Sequence, residues 1–115
     1  MDAIDQDVFN KLKVRMKDKF PVLIDGFLRD SKLYIETIQT NIPTADISKI
    51  INAAHSLKSA SGLLGFKQLH FEANRIEYIA KDLEENGEES AQNLLPTIDT
   101  LNNAYLQVVH FIKDV

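Results

Sequence analysis

The 115-residue chain contains no cysteine, which excludes a disulfide, a thiol nucleophile and a zinc site built on thiolates. It also lacks a glycine-rich phosphate loop of the GxxxxGK or GxGxxG type, so no nucleotide site is predicted. No segment approaches the roughly 20 consecutive apolar residues that span a bilayer, and the acidic first residues do not resemble a signal peptide. From these absences we expect a soluble, cytoplasmic protein that binds no cofactor or metal of its own.

Neither sign of charge is in large excess. Thirteen Lys and Arg residues against 17 Asp and Glu residues give a net charge of −4, and this mild acidity offers no electrostatic basis for binding nucleic acid. A basic run between Lys11 and Lys19 is interpreted as a solvated helix face rather than an anion-binding patch. The length suits a single domain over residues 1–115 with a substantial core.

Apolar residues recur at intervals of three and four along most of the chain, which is the spacing of helices with one buried face. The predicted helices run from Asp5 to about Lys17, from about Pro21 to Asn41, from a Thr44 N-cap to a Gly65 C-terminus, from about Phe66 to Asn86, and through the last 22 residues. The stripe of the second helix is Phe20, Ile24, Phe27, Ser31, Tyr34, Ile38 and Ile42, and that of the last is Leu94, Ile98, Leu101, Tyr105, Val108, Ile112 and Val115. Short connections between long helices predict antiparallel neighbours. We therefore predict an all-α fold, an antiparallel up-down-up-down four-helix bundle with an additional short N-terminal helix.

The third predicted helix has an unusual exposed face. Its apolar stripe consists of Ile47, Ile50, Ile51, Ala54, Leu57, Ser61 and Leu64. At about 100° per residue, His55 lies roughly 120° from the centre of that stripe. Lys58 and Ser59 follow one turn later, and Gly62 follows after two turns. Because a glycine inside a helix costs on the order of 1 kcal/mol, we interpret Ser59 and Gly62 as a docking surface for a partner that must approach His55 closely. The alternative for Gly62 is that it is small because another helix of the bundle packs against it.

The segment around His55 resembles the signature of the histidine-containing phosphotransfer (HPt) domains. That signature is His-x-Leu-Lys-Gly, followed by two small residues and by a further glycine ten positions after the histidine. The matching residues here are His55, Leu57, Lys58, Ala60, Ser61 and Gly65, whereas Ser59 stands where the family usually has glycine. The resemblance implies the same helical bundle and a phosphoryl group carried by His55.

The resemblance also implies roles for two further side chains. In the family a Glu or Gln lies 22 residues after the phosphorylated histidine, a position that Glu77 occupies here. Glu77 is therefore expected to accept a hydrogen bond from Nδ1–H of His55, which leaves Nε2 as the attacking nitrogen. Lys58 is expected to offset the negative charge of the bound phosphoryl group.

The function that the resemblance implies is that of a phosphorelay intermediate, a carrier rather than an enzyme. Phosphate would arrive from the aspartyl phosphate of a receiver domain in a hybrid sensor kinase and pass to a response-regulator aspartate. Mg²⁺ would sit on the receiver. The partners would be receiver domains, with no nucleic acid or membrane, and the chain is expected to be monomeric.

An alternative interpretation is a helical-bundle adaptor that binds a receiver domain or another helical partner without taking phosphate. The feature that favours this alternative is Ser59, which stands where the family usually has glycine. The remaining histidines are interpreted as surface residues, His70 at the start of the fourth predicted helix and His110 on the solvent side of the last. Each is expected to be isolated from a small-residue face comparable to that of Ser59 and Gly62. The three histidines lack the spacing of a metal site, such as two histidines four residues apart with a carboxylate.

Overall fold

Five α-helices make up most of residues 3–114, the part of the chain that the computed structural model describes. They are α1 (Gln6–Met16), α2 (Phe20–Asn41), α3 (Ile47–Leu63), α4 (Lys67–Glu85) and α5 (Leu95–Lys113). One-turn 3₁₀ helices at Lys17–Lys19 and Gln92–Leu94 lead into α2 and α5. Each of these two α-helices has its proline in the first turn, where the missing N–H leaves no helical hydrogen bond unmade.

Helices α2 to α5 form an antiparallel bundle in chain order, because α2 packs on α3, α3 on α4, α4 on α5, and α5 closes back on α2. The short helix α1 lies at the end of the bundle where α2 begins and α3 ends. This is the predicted all-α architecture, a four-helix bundle with one extra N-terminal helix.

An aromatic cluster holds α1 in place. The ring of Phe9 makes edge-to-face contacts with Phe20 at 5.2 Å and with Phe111 at 4.9 Å between ring centroids. It also packs at 5.9 Å from Phe66, the N-cap residue of α4. Contacts of this kind contribute about 0.5–1.5 kcal/mol each beyond the area they bury, so α1 is tied to three separate elements of the bundle.

The core follows the predicted stripes with small shifts. In α2 the buried position is Ile35, whereas the predicted Tyr34 is only partly buried. In α5 the buried side chains include Thr97 and Ala104 beside the predicted Leu101 and Val108. The predicted Ile98, Tyr105 and Ile112 are partly buried against the core, and Val115 lies outside the described residues.

The N-terminus of α3 differs from the prediction, because Asp46 and not Thr44 is its N-cap. The Asp46 carboxylate accepts a hydrogen bond from the backbone N–H of Lys49. A turn through Ala45, whose φ is +53°, separates Thr44 from the helix. The hydroxyl of Thr44 instead donates to the carbonyl of Asn41 at the end of α2.

Gly65 terminates α3, and two features of its surroundings require a glycine. Its φ is +81°, in the left-handed region, and the N–H of Phe66 returns to the carbonyl of Ser61 in a Schellman-type cap. The N-terminal segment also packs directly on it, so that a Cβ at this position would lie 2.7 Å from the carbonyl oxygen of Asp5. The backbone N–H of Asp5 donates to the Gly65 carbonyl at 2.7 Å. Gly65 therefore allows the left-handed turn between α3 and α4 and leaves space for the segment that leads into α1.

Candidate functional site

His55 projects from the outer face of α3, halfway along the bundle. The buried positions of this helix are Ile47, Ile50, Ala53, Ala54, Leu57 and Ser61. The side chain of His55 is 59% exposed. The imidazole therefore stands at the edge of the exposed side, as the helical periodicity predicts.

Glu77 lies opposite His55 on α4, and its carboxylate is the buried end of the pair. Its side chain is only 4% exposed, and each of its two carboxylate oxygens contacts a polar side chain. Oε2 lies 2.8 Å from Nδ1 of His55. The contact expected between these two residues, 22 positions apart in the chain, is present.

The charge on Glu77 determines which ring nitrogen of His55 carries the proton. Burial by itself would raise the pKa of Glu77, but hydrogen bonds from Lys58, Lys81 and His55, together with the charge of Lys58, outweigh it and lower the pKa from 4.5 to about 2. Glu77 is therefore an acceptor only at neutral pH. It follows that Nδ1 of His55 is the donor and that Nε2 of the neutral ring keeps a free lone pair.

Two lysines bind the same carboxylate. The ammonium of Lys58, one turn beyond His55 on α3, lies 2.7 Å from Oε1 of Glu77. The ammonium of Lys81, one turn beyond Glu77 on α4, lies 3.1 Å from Oε2. Two cations and one carboxylate thus give the site a net positive charge next to the free nitrogen of His55, which suits a dianionic phosphoryl group.

Lys81 was not among the residues predicted from the sequence. Lys81 lies four residues after Glu77, which is the spacing of a helical ion pair. This spacing is the sequence feature that could have pointed to Lys81. That spacing is common on solvated helix faces. Only the approach of α3 to α4 shows that Lys81 and His55 bind the same oxygen of Glu77.

The predicted docking residues lie on the same face of α3 as His55, but the surroundings of Gly62 differ from the expectation. Ser59 is exposed. Gly62 is exposed too, yet the ring of His70 from α4 lies against it, so that a Cβ on Gly62 would be 2.9 Å from Nδ1 of His70. The face is therefore not bare at Gly62, because another helix of the bundle already places an imidazole there.

His70 is exposed as predicted, but the expectation that it is isolated from the small-residue face is wrong. Its Nδ1 lies 2.8 Å from the backbone carbonyl oxygen of Lys58. His110 is exposed in the last turn of α5. Within residues 3–114 no three His, Asp or Glu side chains are grouped so that they could hold a metal ion.

The comparisons with known proteins agree with this geometry. The model of the family described as "Hpt domain" matches residues 22–111, well over half of the chain. The chain belongs to the Hpt domain family. A solved structure of histidine-containing phosphotransfer protein B (HptB) from Pseudomonas aeruginosa PAO1 has the same fold, with a TM-score of 0.87 over 97% of this chain and 92% of that one at 24% sequence identity. Comparison with curated protein sequences finds no match.

Membership in the Hpt family gives this domain a phosphotransfer role in two-component signalling. Hpt domains are phosphocarriers that interact with receiver domains, so the first interpretation of the sequence is confirmed at that level. None of the helices within residues 3–114 combines the length and the apolar character that crossing a bilayer requires.

Proposed function

We propose that this Hpt domain is a phosphorelay intermediate whose phosphoacceptor is Nε2 of His55. It takes the phosphoryl group from the aspartyl phosphate of a receiver domain and passes it to the aspartate of a response regulator. The observation that supports the proposal is the 2.8 Å contact between His55 Nδ1 and Glu77 Oε2, on a side chain that is 59% exposed.

The transfer requires no base from this chain. The lone pair on Nε2 forms a bond to phosphorus while the bond from phosphorus to the aspartyl oxygen breaks, and that oxygen leaves with its electron pair as a carboxylate. The proton on Nδ1 stays in its hydrogen bond to Glu77, whose negative charge offsets the positive charge that the phosphorylated ring acquires. In the second transfer an aspartate oxygen attacks phosphorus, and Nε2 leaves with the electron pair as neutral imidazole.

Lys58 and Lys81 supply charge during this exchange. Both ammonium groups contact the Glu77 carboxylate in the free domain, at 2.7 and 3.1 Å, and both side chains are long and partly exposed. A phosphoryl group on Nε2 adds a second anion within reach of flexible side chains of this length. Charge-assisted hydrogen bonds from ammonium to phosphate oxygens then stabilise the phosphorylated state.

The partner is a receiver domain that docks over His55 and Ser59. A short side chain at Ser59, one turn from His55, allows the partner's aspartyl phosphate to come in line with Nε2. The receiver contributes Mg²⁺ and most of the charge stabilisation, and this chain contributes the positioned nucleophile without a cofactor of its own. We propose that the domain acts as a cytoplasmic monomer.

Transfer of label tests the proposal directly. Phosphorylated receiver domains carrying ³²P are incubated with the chain, and the chain is then tested for label that is acid-labile and base-stable. Label is expected on the wild type and on the control His110→Gln, and it is expected to be lost in His55→Gln. Receiver binding without any label would favour the adaptor instead.

A further inference from the structure

His70 makes a hydrogen bond that the phosphotransfer motif does not account for. A backbone carbonyl can only accept, so the 2.8 Å contact between His70 Nδ1 and the Lys58 oxygen places a proton on Nδ1. The bond crosses from α4 to α3 and reaches the backbone of the residue whose ammonium binds Glu77.

The ring of His70 also packs on α3 at Gly62. The ring rests on the backbone of Gly62, where the absence of a Cβ leaves room for it: a Cβ would lie 2.9 Å from Nδ1 and 3.3 Å from Cε1. Gly62 is one turn beyond Lys58 on the same face of α3. A larger residue at position 62 would therefore push the ring away from the Lys58 carbonyl.

We propose that His70 is a positioning residue for phosphotransfer, acting through Lys58. Lys58 is held at both ends, its carbonyl by His70 and its ammonium by Glu77. The Lys58 carbonyl lies inside α3 and stays in the helical hydrogen-bond ladder without His70, but loss of the His70 bond removes the link between α4 and α3 at this residue. The Lys58 ammonium then spends less time where it meets the incoming phosphoryl group. The kinetic part of this inference rests on the proposed function of His55.

Three variants test it. His70→Ala removes the donor, and His70→Asn places an amide N–H near the position of Nδ1. His110→Ala removes an exposed histidine from α5 as a matched control.

The transfer rate is measured over a range of phosphorylated-receiver concentrations, well below the melting temperature of every variant. We expect His70→Ala to lower the saturating rate by about two- to tenfold, the range that a net hydrogen-bond contribution spans, with little change in the half-saturating concentration. His70→Asn should recover most of the rate, and His110→Ala should match the wild type.

A second readout needs no phosphate. NMR of the free chain reports the mobility of the Lys58 ammonium, which should increase in His70→Ala and return to the wild-type value in His70→Asn. Unchanged Lys58 mobility in His70→Ala, or an unchanged saturating rate, would overturn the inference. A rise in the half-saturating concentration alone would also overturn it, because that result would make His70 a docking contact. If the wild type takes no label at all, the proposed function fails, and the NMR result still decides whether His70 positions Lys58.

Discussion

Nδ1 of His55 lies 2.8 Å from Oε2 of Glu77, and the two side chains differ sharply in exposure, at 59% and 4%. The exposed imidazole is thereby held by a buried carboxylate whose two oxygens also contact Lys58 and Lys81. The hydrogen bond to Glu77 orients the His55 ring through Nδ1 and leaves Nε2 available for reaction.

Replacing Glu77 tests how much this orientation contributes. Glu77→Ala should slow transfer to His55 by about tenfold or more, since the ring loses its fixed tautomer and rotamer. Glu77→Gln should be slowed less, because an amide oxygen can still accept from Nδ1–H although it no longer attracts the two lysines. Initial rates of labelling by a phosphorylated receiver measure both effects, and wild-type rates in Glu77→Ala would contradict the assignment.

The lowered pKa of Glu77 predicts a specific loss of stability in acid. The folded chain holds this pKa at about 2, against 4.5 for the ordinary group, so the unfolded chain binds the proton first as the pH falls. The contribution of Glu77 is therefore fully present above about pH 4.5 and is lost between there and about pH 2, amounting to roughly 3 kcal/mol in the free energy of unfolding. Urea unfolding of wild type and Glu77→Gln at a series of pH values should show a shallower acid decline in the variant. Parallel declines would mean that other carboxylates dominate.

Lys81 should matter to transfer even though it lies outside the motif around His55. Lys81→Gln removes one of the two cations on Glu77 and should slow transfer by several-fold, with a smaller effect than Lys58→Gln because the Lys81 side chain is the more exposed of the two, at 56% against 25%. Lys32→Gln on α2 is the matched control for loss of one positive charge from the surface. Equal transfer rates for the Lys81 and Lys32 variants would show that Lys81 has no specific role in phosphotransfer.

The contact between Gly62 and His70 predicts that substitutions at the two positions are coupled. Alanine is favoured over glycine in a helix by about 1 kcal/mol, but in the wild type a Cβ at position 62 displaces the His70 ring. Gly62→Ala should therefore stabilise the His70→Ala background more than it stabilises the wild type, by about 1 kcal/mol, the worth of one hydrogen bond. Denaturant unfolding of the two single variants and the double variant measures this difference. Identical effects of Gly62→Ala in both backgrounds would show that the ring does not constrain position 62.

Much of the fold could be predicted from the sequence, because each helix carries its own periodic stripe and its own end signals. The predicted ends of α2 and α4 lie within a residue or so of those observed, and Gly65 ends α3 as expected. The N-cap of α3 was missed because Thr44 and Asp46 are both good caps. Only the conformation of the intervening turn shows that the helix starts after Asp46.

The candidate site was predictable to the extent that it follows one helix or a known spacing. His55, Lys58 and Ser59 lie on one face of α3, and Glu77 came from the family spacing. Contacts between α3 and α4 could not be read from either helix alone, because they depend on how the helices rotate and approach one another. The sharing of Glu77 by Lys81, and the ring of His70 over Gly62, are both of this kind.

We propose that Nε2 of His55 carries the phosphoryl group, and this bond can be observed directly. The most direct test is NMR of the ¹⁵N-labelled chain after phosphorylation by a receiver domain, since coupling between ¹⁵N and ³¹P identifies the bonded nitrogen. We expect one phosphohistidine, at His55, with phosphorus bonded to Nε2 and a proton still on Nδ1. Phosphorus on Nδ1 of His55, or on His70 or His110, would contradict it.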